Sequence, residues 1–361
     1  MAFTRVLMVD DSAVTRRLIA RALARCAQIE IASTAVSGEQ ALAQLPHVAA
    51  DIVLLDVEMN GISGIETLTK IKKSYPHVKV LMFSALTEQG AKTTLEAMAA
   101  GASDYVPKPT RESGKSIDEV VSAAVVPRIL ALTQDSSPKA AAAPVAVRVA
   151  PPSSSHAPVR IVALAASTGG PVAIETILCA LPADFALPVV VVQHMPPVFT
   201  SAFAQRMSKV GRLPVREATG GERLESGGVW IAPGGSHLAV RPDGVLKLSN
   251  APPENGVRPA ADVLFRSVAQ AYGAGILAVV LTGLGQDGTR GAEAIVAGGG
   301  TVIAQDQATS TVWSMPRSVI EAGLSQGEYP LAQIAGEIVR RAGRRSAGQS
   351  PSSGLKTARR S

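Results

Sequence analysis

The chain has 361 residues, 47% of them apolar, which is enough to bury two or three separate cores. No apolar run approaches the roughly 18 residues of a membrane span, no secretory-type leader follows Met1, and Cys26 and Cys179 lie far apart without metal-type spacing, so a soluble protein of the reducing cytoplasm is expected. The net charge of +6 sits at the end of the chain: residues 340–361 carry 7 Lys/Arg and no acid, whereas residues 1–130 carry 14 of each sign and residues 131–339 carry 14 against 15. That balance, with no helix-turn-helix pattern, excludes a nucleic-acid role.

Short apolar runs alternate with amphipathic segments from the start: RVLMVD, DIVLLD, VKVLMFSA and then YVPKP. Such alternation predicts a parallel sheet wound on both sides, whose functional crevice lies outside the carboxyl ends of the strands. Asp10 and Asp11 end the first run and Asp56 ends the second. Each alone reads as a helix cap or loop residue. Three together repel unless a hard cation such as Mg²⁺ joins them. Ser84 and Lys108 end the next runs, supplying a hydroxyl and an ammonium to neutralise a phosphoryl group on a central carboxylate.

The segments VDDSAVTR, LLDVEMNGISGIETL, MFSALTEQGA and GASDYVPKP resemble the receiver domain of response regulators over about 125 residues. The resemblance implies a flavodoxin-like fold with Asp56 as phosphoacceptor. It implies Mg²⁺ held by Asp10, Asp11, Asp56 and the backbone carbonyl of Glu58, with Lys108 on the phosphoryl group and Ser84 and Tyr105 as the switch pair. Asn60 stands where receivers commonly have Pro, a change of loop stiffness only.

Residues 131–157, rich in Pro, Ala and Ser, read as a semi-extended linker between a first domain at 1–130 and a second at 158–343. The second domain repeats the class of architecture, though not the sequence, with VRIVALAA, PVVVVQ and ILAVVLTG as buried parallel strands. Residues 344–361 read as a disordered basic tail.

After VRIVALAA, the sequence STGGP turns into a helix, with Pro171 in its first turn and glycines before it. Ser167 there sits beside a helix N-terminus able to receive developing negative charge. By itself Ser167 reads as well as a helix cap, and the glycines as a phosphate loop. Its fit to the nucleophile elbow of α/β-hydrolases is imperfect, because Ala165 stands where that pattern has Gly. His194, next after VVVVQ, and Asp287, in the glycine-rich turn after ILAVVLTG, fall on the same sheet rim, so all three are expected within hydrogen-bonding reach of one another. An imidazole can take the hydroxyl proton while a buried carboxylate fixes its tautomer. His237 is the competing base, and His194 is preferred because it ends the stronger strand.

AASTGG, VQHMPP, WIAPGGSHLAV, RPAADVLF, LTGLGQDG and AQDQATSTVWSMP together resemble the catalytic domain of the chemotaxis protein-glutamate methylesterases. The resemblance implies a Rossmann-like parallel-sheet serine hydrolase with Ser167 as nucleophile, His194 as base and Asp287 as its orienter. Thr168 and Leu284 would lie beside the oxyanion. It implies hydrolysis of glutamate γ-methyl esters, and deamidation of glutamines, on methyl-accepting chemotaxis receptors. No metal is expected for that step, the receiver is expected to cover the active site until phosphorylation of Asp56 by a histidine kinase loosens or reorients it, and membrane arrays are reached only through receptors. A monomer is expected. Ala165, Leu284 and Ser314 stand where the family usually has Gly, Met and Gly. The rival readings are a signalling adaptor with a weak catalytic site and an esterase for small molecules.

Overall fold

The computed structural model describes residues 3–110, 114, 116–134 and 157–343. The expectations for most of the linker and for the basic tail lie outside these residues.

The first domain is a five-stranded parallel sheet of β1 (Thr4–Val9), β2 (Ile29–Ala35), β3 (Ile52–Asp56), β4 (Lys79–Ser84) and β5 (Asp104–Pro107) in the order β2-β1-β3-β4-β5. The four helices between the strands share one local cause. Ser12, Ser37, Ser63 and Thr87 each precede a helix and accept a hydrogen bond from the backbone N–H three residues on, and each such cap stabilises its helix by about 1 kcal/mol. The order reverses between β1 and β3, so Asp10 and Asp56 open onto the switch-point crevice. The last helical segment runs from Ile117 to Gln134, with a π-helical stretch at Val121–Val125, and buries Ile129 and Leu132 in the domain's core. The expected boundary at residue 130 therefore falls inside a helix, because the apolar period that packs it continues past that point.

The second domain is a seven-stranded sheet. Its strands are β6 (Ile161–Ala166), β7 (Val189–Gln193), β8 (Val215–Glu217), β9 (Val229–Ile231), β12 (Ile276–Val280), β13 (Thr301–Gln305) and β14 (Glu328–Tyr329). They lie parallel in the order β14-β13-β12-β6-β7-β9-β8. Between β9 and β12, β10 (His237–Val240) and β11 (Leu246–Ser249) form a separate antiparallel hairpin. The residues of β6, β7 and β12 are all buried because helices cover both faces, which explains their continuous apolar runs. Burying each valine of Val189–Val192 stabilises the sheet by about 1.5–3 kcal/mol. The chain leaves β6 toward β7 on one side and returns to β12 on the other. The crevice of this sheet thus lies at the carboxyl ends of β6, β7 and β12, where Ser167, His194 and Asp287 follow.

Candidate active site and phosphoacceptor pocket

Ser167 sits in the turn between β6 and the helix Gly170–Ala180. Gly169 takes φ +76° there, and a Cβ on it would strike the Thr311 side chain. At Gly170 a Cβ would overlap Oε1 of Gln193. The two glycines therefore let the turn press against its neighbours. Gln193 uses its Nε2 to donate to the Ser167 carbonyl at 2.9 Å, and Thr282 Oγ1 donates to the Thr168 carbonyl at 2.9 Å. The polar residue that ends the valine run thus fixes the turn carrying Ser167, and the next residue presents the imidazole.

His194 and Asp287 meet: Nε2 of the ring lies 2.8 Å from Asp287 Oδ2, with both side chains buried. Since the carboxylate accepts, Nε2 carries the proton and Nδ1 is left as the basic nitrogen. Burial raises the Asp287 carboxyl, but the hydrogen bonds from His194 and from the backbone of Ala261 and Asp262 outweigh it and hold the group below its ordinary value. The expectation that all three side chains are joined is met only in part. No hydrogen bond connects Ser167 Oγ to the His194 ring in this state. Nucleophile–base contacts often close only around substrate.

His237, the competing base, is committed elsewhere. It lies on β10, its Nδ1 accepts from the Ala260 N–H at 3.1 Å, and its Nε2 faces the Pro252 carbonyl at 3.0 Å. With both ring nitrogens occupied, it supports the loop before the helix Ala261–Tyr272.

Thr168 and Leu284 flank Ser167 on two loops. Neither backbone N–H donates to another described residue, so both can stabilise an oxyanion. The residues on either side of Leu284 are pinned by Ser314, whose Oγ donates to the Gly283 carbonyl at 2.9 Å and accepts from the Gly285 N–H at 3.0 Å. The methyl of Ala165 is absorbed in the core with Val192 and Val280.

In the first domain Asp10, Asp11 and Asp56 present carboxylate oxygens within 4.8 Å of one another, a hard-oxygen set that fits Mg²⁺. Lys108 Nζ lies 2.5 Å from Asp56 Oδ2 and 3.3 Å from Asp10 Oδ2. Burial raises the Asp56 carboxyl to about 6 even against the pull of Lys108. Burial alone would lower the Lys108 ammonium, but its bond to Asp56 more than offsets this and raises it. The Glu58 N–H donates to Asp56 Oδ1 at 3.2 Å, and Asn60 donates to Asp11 at 3.0 Å. Ser84 is held by the helix Glu88–Ala99: it accepts from Thr94 Oγ1 at 2.7 Å and donates to the Gly90 carbonyl at 3.3 Å. Tyr105 is buried, and burial raises its phenol well above the ordinary value.

A CheB methylesterase family model matches residues 162–338, and a response regulator receiver domain model matches residues 6–117. The protein-glutamate methylesterase/protein-glutamine glutaminase of Trichodesmium erythraeum is 43% identical, over 94% of this chain and 99% of its own length. The one from Nocardioides sp. is 45% identical, over 94% of this chain and 96% of its own length. The chain belongs to this methylesterase/glutaminase family. Among solved structures, the CheB methylesterase catalytic domain of Thermotoga maritima is 42% identical, with 50% of this chain and 98% of that one covered at a TM-score of 0.49.

In this methylesterase-family chain the two domains touch beside both sites, in line with the expected cover of the active site by the receiver, through contacts that no sequence motif marks. The Tyr105 ring stacks on Phe199, with centroids 4.5 Å apart and planes 15° from parallel. Asp104, at the start of β5, accepts from Thr168 Oγ1 at 2.7 Å and pairs with Arg128 Nε at 3.0 Å. Val312 and Leu284, from the loops beside Ser167, pack against the core of the receiver. Ser167 is consequently only 7% exposed. Asp104, Gln193, Asn255 and Asp262 are the site residues that sequence reasoning missed. Asp104, Gln193 and Asp262 lie within the motifs that carry the two resemblances, but no local signal marks their partners.

Proposed function

We propose that this chain is a phosphorylation-regulated hydrolase of chemotaxis adaptation, which demethylates glutamate γ-methyl esters and deamidates glutamines on the cytoplasmic helices of methyl-accepting receptors. The observation that carries the reading is the His194–Asp287 pair at 2.8 Å on the rim that also bears Ser167. The catalytic unit spans residues 158–343. The receiver spans the residues up to 134.

In the reaction, Ser167 Oγ attacks the ester γ-carbonyl while Nδ1 of His194 takes its proton, and the negative charge on the carbonyl oxygen is met by the Thr168 and Leu284 N–H groups. His194 then returns the proton to the departing methoxide, giving methanol and an acyl-enzyme. Water, deprotonated by the same ring, attacks the acyl carbon and releases the receptor carboxyl and Ser167. With a glutamine the leaving group is ammonia. Asp287 stays ionised and steadies the imidazolium.

In the receiver, Asp10, Asp11 and Asp56 would hold Mg²⁺, which offsets the charge of the incoming phosphoryl group. Asp56 attacks the phosphorus of a donor, a histidine kinase in the cell, and Lys108 pairs with the transferred group. The receiver's contacts through Asp104 and Tyr105 hold it over the Ser167 turn, and phosphorylation favours arrangements that release them. An adaptor without catalysis leaves the His194–Asp287 pair and the two undonated N–H groups without a purpose.

The test is methanol release from methylated receptor membranes, with a phosphodonor, by the parent and by Ser167→Ala. The variant is expected to lose at least about 10⁴-fold in rate. Equal rates would remove the serine-hydrolase reading.

A further inference from the structure

We infer that Asn255 is a positioning residue for the hydrolytic reaction, fixing the rotation of Asp287 by bridging it to a second buried carboxylate, Asp262. The inference rests on the Ser167–His194–Asp287 reading above.

Asp287 is held by five hydrogen bonds. Oδ2 faces His194 Nε2 and accepts from the Ala261 N–H at 2.6 Å; Oδ1 accepts from the N–H groups of Asp262 at 3.1 Å and Gly288 at 3.0 Å and from Asn255 Nδ2 at 2.9 Å. Asp287 thereby caps the helix Ala261–Tyr272 from outside it. Asp262, in the first turn of that helix, returns the arrangement. Its Oδ1 accepts from the N–H groups of Gly288 at 3.1 Å and Gly291 at 2.7 Å, at the start of the helix Thr289–Ala297. The two helices exchange caps through two carboxylates, and those carboxylates repel.

Asn255 resolves that repulsion. Its Nδ2 donates one hydrogen to Asp287 Oδ1 and the other to Asp262 Oδ2 at 2.8 Å. The nitrogen must occupy this position, since the amide oxygen would face two acceptors. Asn255 adopts φ +54°, a left-handed conformation that Asn tolerates better than most residues, in the loop before the helix. A neutral double donor thus holds two anions side by side and leaves the remaining oxygen of Asp287 for His194. The other charged groups acting here are Glu254 of the same loop, paired with Arg266 of the helix at 2.8 and 2.6 Å, and Arg290 of the following helix.

The experiment measures methanol release from methylated receptor membranes by the full chain with a phosphodonor, across pH. It compares the parent with Asn255→Gly, which keeps the backbone conformation and deletes the donor, and Asn255→Asp, which is isosteric but adds a charge. Asn255→Gly deletes both hydrogen bonds and is expected to lower kcat about 10- to 100-fold, the worth of the one made to the ionised Asp287. KM is expected to stay the same, because Asp287 acts on the transition state. Asn255→Asp is expected to move the acid limb of kcat/KM to higher pH, because added negative charge beside Asp287 favours imidazolium. A parental kcat in Asn255→Gly, or an unmoved acid limb in Asn255→Asp, overturns the inference. If the glycine variant does not fold, the limb of the isosteric variant decides. Ser167→Ala run alongside separates the two readings: activity there defeats the triad itself, whereas an inactive Ser167→Ala beside a parental Asn255→Gly defeats only the role of Asn255.

Discussion

Thr168 Oγ1 of the catalytic domain donates to Asp104 Oδ2 of the receiver at 2.7 Å, so the residue after Ser167 is tethered by the residue before Tyr105. Tyr105, the proposed switch aromatic, and the receiver's contact with the Ser167 turn are thus neighbours on one strand. Removing the Asp104 carboxylate leaves Thr168 free and Arg128 unpaired on the receiver side. Asp104→Ala is expected to raise methanol release without phosphodonor by about 10-fold or more, from the loss of a buried charge-assisted hydrogen bond, and to shrink the response to phosphodonor. An unchanged rate without donor would show that the tether does not restrain the site.

The Asp56 carboxyl, the proposed phosphoacceptor, is raised by burial to about 6, and a carboxyl attacks phosphorus only when ionised. Activation by a small acyl phosphate is therefore expected to rise with pH through about 6 and to fade below it, and added Mg²⁺ should carry the limb to lower pH. Because the folded value lies above the ordinary 3.8, this group's contribution to stability is fully present below 3.8 and is lost as pH rises through about 6. Asp56→Asn should abolish the activation at every pH while leaving the unstimulated rate in place. A phosphodonor titration of parent and variant between pH 5 and 8 checks the two statements about activation.

Ser314 pins the loop on both sides of Leu284, one of the two unengaged N–H donors. Ser314→Gly is expected to cost kcat about two- to tenfold with KM unchanged, the worth of a neutral hydrogen bond. Leu284→Met should change little, since only the backbone acts, whereas Leu284→Pro deletes the donor and should cost about 10²- to 10³-fold. Steady-state kinetics of the three variants would reveal whether the loop is set by backbone or by side chain.

Glu337, in the helix Leu331–Ala342, receives Arg340, Arg341 and the Tyr329 hydroxyl. Burial would raise its carboxyl, but these partners lower it to about 2. Its stabilisation is present above the ordinary 4.5 and lost as pH falls through about 2. Glu337→Gln is expected to cost about 2 kcal/mol at neutral pH, discounted because Arg340 is half exposed and screened. Thermal melts at pH 7 should show the deficit, and at pH 2 it should narrow.

Much of this protein was legible in its sequence because the information is local. Four valines with no polar partner require a strand covered on both faces, Ser and Thr before amphipathic segments start helices, and the acids and Ser167 fall where strands end. These regularities yield two parallel sheets and place Asp10, Asp56, Ser167, His194 and Asp287 on their functional edges. Strand order, side-chain rotamer and domain contact are not local. Only the folded chain decides that His237 spends both ring nitrogens on its neighbours, that Ser167 stands unjoined to His194 in this state, and that Asp104 holds Thr168. It also decides that Asn255 lies between two carboxylates 25 positions apart. Each of these outcomes depends on how side chains from different segments are oriented and how buried polar groups are satisfied once the sheets have packed, which no periodicity or propensity encodes.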